Sequence, residues 1–243
     1  GESSLPVRKE LANGRTLTSA VGYTLTYNTL DNNKNPTDGL IVDFKQDFAG
    51  VGGDVSYIKS AIDAKYYTPL VSDIVGVIHA QGGILNKLGS QDLRMLDHFQ
   101  MGPNLVRGFS PNGIGPRDIT YAGYGATGDA LGGTNYWGAS MELQMPFWFL
   151  PSEVGLKGAV YADAGSLWDY QGPTSWAATG EVNQPGCIKP TNNPPSPGTC
   201  LGLSYDDSKI VRTSVGVGLI WQSPFGPLRF DYAIPLTKGA YDR

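Results

Sequence analysis

Hydrophobic and polar residues alternate with a period of two along eight segments of this chain. In residues 134–146, for example, Trp137 and Met141 fall on one face, whereas Ser140 and Glu142 fall on the other. Such alternation predicts β-strands that have one apolar and one polar face. The predicted strands cover residues 17–29, 39–49, 53–66, 73–84, 134–146, 155–168, 209–222 and 227–236.

The length of the predicted strands and their low charge separate two all-β fold classes. Strands of about ten residues cross a bilayer when tilted, whereas strands of soluble proteins are usually nearer five or six residues. Charged residues make up only 16% of the 243 residues, although hydrophobic residues reach an ordinary 40%. A soluble antiparallel sandwich also alternates, but its polar face meets solvent and carries more charge. The pattern therefore favours an antiparallel transmembrane β-barrel over the sandwich.

The connections between the predicted strands differ in length on the two sides of the sheet. If successive strands run up and down, the joins on one side are short: 30–38, 67–73, 147–154 and 223–226. The other side receives a short join at 49–52 and two long segments, 85–133 and 169–208. Short periplasmic turns and long extracellular loops are typical of outer-membrane barrels. We therefore expect residues 1–243 to form one transmembrane barrel portion, with a lumenal loop at 85–133 and an extracellular loop at 169–208.

Two cysteines, Cys187 and Cys200, enclose a short segment that is polar and rich in proline. This arrangement predicts a loop closed by a disulfide and facing an oxidising space. A zinc site is the alternative, but no histidine lies nearby and two thiolates alone do not complete such a site.

Signals for catalysis and for nucleotide binding are weak. Residues 123–128 match the GxGxxG pattern, but no helical period follows them, as a dinucleotide site would require. His79 and His98 have no partner at metal-ligand spacing, and nothing positions a nucleophile beside an oxyanion hole. The net charge of −4, without a basic stripe, argues against nucleic-acid binding. We expect a protein that is not an enzyme and that holds no metal and no cofactor.

The chain carries an ordered set of motifs between residues 106 and 228. A glycine-rich loop holds the run VRGF at residues 106–109, and a strand with Glu142 follows it. The runs YADAG at 161–165, GVGL at 216–219 and SPFGPL at 223–228 come next. In this order the motifs resemble those of the BamA-type outer-membrane protein assembly factors, members of the BamA/TamA superfamily of bacterial surface antigen barrels. The run at 47–54 is similar to alphaproteobacterial members, and the whole resemblance extends over residues 17–236.

The resemblance implies a barrel of sixteen strands, preceded by periplasmic POTRA domains, in the outer membrane of a Gram-negative bacterium. The strands here would be the eighth through the fifteenth, so we expect the chain to be a portion of the parent barrel. The implied function is non-enzymatic insertion of β-barrel proteins. The implied partners are outer-membrane lipid and lipopolysaccharide, unfolded outer-membrane protein clients and accessory assembly lipoproteins. The alternatives are a passive porin-type channel and a related secretion barrel with a single client.

The resemblance also implies a role for Arg107. The family's arginine lies inside the barrel against acidic residues of the strands that follow, which are Glu142 and Asp163 by motif match. Alternation alone already places both carboxylates on the polar face. A guanidinium binds carboxylates bidentately, Gly108 would permit a close approach or a positive φ, and Phe109 would pack on the wall. The expected site is a loop latch of these five residues, and the alternative is that Arg107 is a solvated loop charge.

Overall fold

The computed structural model describes residues 4, 6–7, 10–11, 14–71, 73–90, 92–119, 128–151, 154–174, 203–223 and 226–243. The strands in these residues are β1 (Ala20–Asn28), β2 (Gly39–Ala49), β3 (Tyr57–Pro69), β4 (Val75–Lys87), β5 (Arg117–Asp118), β6 (Asn135–Pro146), β7 (Leu156–Trp168), β8 (Tyr205–Asp206), β9 (Arg212–Ser223) and β10 (Gly226–Thr237). A single-turn 3-10 helix spans Met95–Asp97. No helix within the described ranges is both long enough and apolar enough to span a membrane.

The eight long strands form one sheet in the order β1-β2-β3-β4-β6-β7-β9-β10, and every neighbouring pair is antiparallel. This architecture confirms the predicted all-β class and the eight predicted strands. The two short strands, β5 and β8, pair with each other outside the sheet. In the part of the chain that the structure describes, β1 and β10 stand at the two ends of the strand order and do not pair with each other.

The observed strands begin three or four residues later than predicted at β1, β3 and β9. Before β1 and β3, the backbone N–H of Asp54 donates to the carbonyl of Leu17 at 2.8 Å, and the Asp54 carboxylate accepts from the N–H of Leu17 at 2.8 Å. A side chain that bonds to backbone replaces the regular ladder at this point. The alternation of hydrophobic and polar residues continues through Leu17 and Asp54, so it does not reveal where the hydrogen-bond ladder between the strands begins.

The sheet face opposite residues 88–134 carries large apolar side chains that no other part of the described protein covers. Val21, Met141 and Phe230, for example, remain 68%, 65% and 61% exposed. An apolar surface of this extent is unusual in water, but it is the expected outer band of a barrel in lipid.

The core lies between the inner face of the sheet and the described part of residues 88–134, a segment called the long loop below. Four side chains of the long loop pack with one from β7 in a buried cluster: Met101, Val106, Phe109, Ile114 and Leu167. A Cβ on Gly165 of β7 would lie only 2.3 Å from Cε of Met101 and 3.0 Å from Cγ2 of Val106. The loop therefore packs this closely because the wall has no side chain there.

Most of the expected extracellular loop falls outside the described residues. Residues 175–202 are among those not described, and they include Cys187 and Cys200. The disulfide between these cysteines therefore stays a prediction. The described end of the loop provides β8, which joins the long loop by pairing with β5.

Candidate functional site

Arg107 extends from the long loop to the polar face of β7. Its Nε donates to Oδ2 of Asp163 at 2.7 Å, and its Nη2 donates to Oδ1 at 2.6 Å. The backbone N–H of Arg107 also donates to Oδ2, at 3.0 Å. The carboxylate is fully buried, and the arginine side chain is only 16% exposed. One residue of the loop thus engages one carboxylate of the wall through a bidentate pair and a backbone hydrogen bond.

The remaining hydrogen bonds of the Arg107 guanidinium are with β6. Nη1 donates to Oε2 of Glu142 at 2.8 Å, and Nη2 donates to Oγ of Ser140 at 2.8 Å. Ser140 lies directly opposite Asp163 in the register of β6 and β7, and Glu142 lies opposite Tyr161. Alternate residues of a strand share a face, so these four wall residues form one patch. The structure therefore brings both predicted carboxylates within hydrogen-bond distance of Arg107.

The ring of Tyr161 lies beneath the guanidinium. Cζ of Arg107 is 3.2 Å from the ring centroid, which is the geometry of a cation–π contact. Burial acts to lower the pKa of Arg107, but the hydrogen bonds to Asp163 and Glu142 outweigh it and raise that pKa above its usual value. Arg107 is therefore a permanent cation held between carboxylates and an aromatic face.

A second arginine, Arg229 of β10, completes the cluster. Its Nη1 and Nη2 donate to Oε1 and Oε2 of Glu142 at 2.9 Å and 2.7 Å. It also donates to both carboxylate oxygens of Asp231, at 2.8 Å and 2.9 Å. Two arginines therefore face three carboxylates, those of Glu142, Asp163 and Asp231, and the formal charge of the cluster is 2 − 3 = −1.

Reasoning from the sequence places Arg229 and Asp231 on the polar face of a strand but does not link them to Arg107. Tyr161 is likewise placed on that face without a role. The feature of the sequence that could have linked these residues to Arg107 is that they lie on the inward faces of β6, β7 and β10. Side chains that face the same lumen can meet across it. The sheet register is needed to select these side chains from the other inward-facing ones.

Gly108 turns the chain directly after Arg107, with φ of +90°. A Cβ at this position would lie 3.2 Å from Cβ of Ala233 and 3.3 Å from Cδ of Pro235, both on β10. The position therefore has both a positive φ and a close approach to the wall, which favour glycine. Phe109 is buried in the cluster with Leu167 that is described above, next to this turn.

The two histidines lie outside this cluster. Nε2 of His79 lies 3.1 Å from a carboxylate oxygen of Asp63, and buried His98 packs against Tyr170 with ring centroids 5.2 Å apart. Within the described ranges, His, Cys, Asp and Glu side chains form no group of three or more that would hold a metal ion. Most of the GxGxxG segment lies in residues 120–127, outside the described part of the chain.

Comparisons with known proteins identify the family. The model of the Omp85 superfamily domain matches residues 2–243. The outer membrane protein assembly factor BamA of Neorickettsia risticii (strain Illinois) is 34% identical over an alignment of 244 positions, which covers 100% of this chain and 28% of that protein. The sorting and assembly machinery component 50 homolog of Mus musculus is 34% identical over 171 residues, which are 68% of this chain and 34% of that protein.

A solved structure agrees with these relatives. The crystal structure of BamA from Haemophilus ducreyi lacking POTRA domains 1-3 superposes with a TM-score of 0.69 at 27% identity, covering 92% of this chain and 40% of that chain. The chain thus spans only 28% and 34% of the length of the two relatives named above. From its family match and its sheet, the chain is an outer-membrane β-barrel protein of Gram-negative type and belongs to the Omp85 superfamily.

Proposed function

We propose that this chain takes part in inserting β-barrel proteins into the bacterial outer membrane, as a non-enzymatic assembly component. Membership of the Omp85 superfamily supports this activity, and the matched relatives carry the names of assembly factors. The clients would be unfolded outer-membrane proteins. The surrounding partners would be outer-membrane lipid, lipopolysaccharide and accessory assembly lipoproteins.

The proposal assigns Arg107 the role of a latch that fixes the long loop to the inner wall. The observation that carries this role is the buried bidentate pair of Arg107 with Asp163, which is extended by Glu142. Removing one partner from a buried ion pair costs about 3–5 kcal/mol, because the remaining charge stays desolvated without compensation. Gly108 and Phe109 would seat the loop beside the latch. A loop held in this way keeps one conformation while the strands around it accept a client.

A passive porin-type channel would require an open, solvated path along the inner face. The apolar cluster of the long loop covers part of that face, which supports an assembly role over a channel role. Single-channel recording separates the two functions. A steady, large and ion-selective conductance of the purified protein would favour the porin. An assembly component should give only small or irregular currents.

The test of the proposed function is the pair of variants Arg107→Ala and Arg107→Lys, expressed in the outer membrane. Arg107→Ala removes the latch, and we expect slower insertion of client barrels and loss of heat-resistant folding. Arg107→Lys keeps the charge but not the planar fork, so we expect partial activity. Arg15→Ala, at an exposed position, is the matched control. Normal client insertion by Arg107→Ala would refute the latch.

A further inference from the structure

Residues 238–243, which follow β10 and are called the strap below, lie against the long loop. The backbone N–H of Ser110 donates to the carbonyl of Arg243 at 2.8 Å, and the N–H of Arg243 donates to the carbonyl of Gly113 at 3.0 Å. A Cβ on Gly113 would lie 2.4 Å from that Arg243 carbonyl oxygen. The strap therefore pairs with the long loop through backbone, only a few residues after Arg107.

The strap is itself held by a buried ion pair. Arg212 of β9 donates through Nε and Nη2 to the two carboxylate oxygens of Asp242, at 2.8 Å and 3.2 Å. The two side chains are 1% and 2% exposed. The other donors of the guanidinium bond to the carbonyls of Ser208 and Ile210 and to Oγ of Ser208. All five guanidinium donors of Arg212 therefore have an acceptor.

The Asp242 carboxylate also shapes the strap from within. It accepts a hydrogen bond from the backbone N–H of Gly239 at 2.5 Å, which closes the turn between the two residues. A Cβ on Gly239 would lie 3.2 Å from Nη2 of Arg212, so the strap passes directly over the guanidinium. The ion pair thus fixes both the fold of the strap and its place on β9.

We propose that Arg212 and Asp242 are positioning residues that hold a second anchor for the long loop, through the backbone of Arg243. This inference rests on the proposed function, in which the position of the long loop matters for client insertion. Arg107 ties the loop to β6 and β7, whereas the strap ties it to β9 and to the end of β10. The second anchor couples the loop to the end of β10, from which the strap continues. A displacement of β10 would therefore move the long loop as well.

The experiment measures how often the long loop leaves the wall. A cysteine is placed at Met101, a residue of the long loop that is buried against β7, in a background where Cys187 and Cys200 are replaced by serine. The rate at which a polar maleimide labels it, in protein purified into lipid nanodiscs, reports the population of the open loop. A second reporter, Val75→Cys, is buried at the first residue of β4, outside the cluster that contains Met101, and reports general loosening.

Asp242→Asn leaves the Arg212 charge buried without its partner, and we expect labelling at Met101→Cys to become at least about tenfold faster. Labelling at Val75→Cys should not change, and Asp38→Asn, at an exposed position, serves as the control. If Asp242→Asn fails to fold, Arg212→Lys keeps the charge and should give a smaller increase at the same reporter. Unchanged labelling at Met101→Cys, or an equal increase at both reporters, would overturn the second anchor.

Arg107→Ala in the same assay separates this inference from the latch. If Asp242→Asn speeds labelling and Arg107→Ala does not, the second anchor stands and the proposed latch fails. If only Arg107→Ala speeds labelling, the latch stands and the second anchor fails.

Discussion

The cluster around Arg107 predicts that Asp163→Asn destabilises the protein more than Glu142→Gln does. The ranking is not evident from the number of hydrogen bonds. Glu142 accepts four, from Arg107, from Arg229 twice and from Gln144. Asp163 accepts only three, all from Arg107.

Either substitution brings the formal charge of the cluster to 2 − 2 = 0, so the partner that remains to each arginine decides the ranking. After Glu142→Gln, Arg107 keeps its bidentate partner Asp163 and Arg229 keeps Asp231. The loss is that of hydrogen bonds to a charged group, about 1.5–3 kcal/mol. After Asp163→Asn, the amide nitrogen faces a guanidinium donor at a site with no access to water, and Arg107 loses its bidentate partner. We expect a loss of about 3–5 kcal/mol in the free energy of unfolding.

The measurement is urea unfolding of the protein in lipid bilayers, followed by tryptophan fluorescence and by the heat-resistant folded band on a gel. The control is Asp38→Asn, which makes the same chemical change at an exposed position. Equal losses for the two variants, or a larger loss for Glu142→Gln, would show that the bidentate partner of Arg107 does not determine the stability of the cluster.

Two further predictions concern side chains near the long loop. The Tyr161 hydroxyl is buried without a hydrogen-bond partner in the described part of the protein, so Tyr161→Phe should leave stability unchanged, whereas Tyr161→Leu should cost about 1–2 kcal/mol by removing the ring beneath Arg107. Thermal unfolding of the two variants checks this, and equal losses would contradict a cation–π contribution. Burial lowers the pKa of His98 to about 4, so the unfolded chain binds more protons between about pH 4 and pH 6.5, and stability should fall there by up to about 3 kcal/mol as pH decreases. His98→Gln should reduce the slope of the free energy of unfolding against pH over this interval and leave the slope above pH 7 unchanged. An unaltered slope between about pH 4 and pH 6.5 would show that His98 does not cause it.

Much of the fold follows from alternation, because the period of a strand is set by local backbone geometry. Trp137 and Met141 alternate with Ser140 and Glu142 in the sequence, and β6 has those two faces in the structure. The ends of strands are less predictable. Leu17, for example, bonds to Asp54, 37 residues away, so its departure from the ladder depends on a tertiary contact.

The candidate site, like the fold, could be predicted only in part from the sequence. The resemblance of the VRGF run to the family's motif, together with the polar faces of two strands, predicts that Arg107 meets Glu142 and Asp163. Arg229 belongs to the same cluster, but it lies 87 residues from Glu142 and shares no motif with it. Nothing in the sequence links Arg212 to Asp242, because their contact depends on the path of the strap across β9.

The sequence by itself determined which side chains face the lipid and which face the inside, and it determined the chemistry of the inner wall. Only the tertiary structure decided how the inward charges are shared between the two arginines and that the strap holds the long loop. The reason is physical. The side of the sheet on which a side chain lies is set within each strand by the two-residue repeat. The partners in an ion pair are set by the register between strands and by the path of a loop across them.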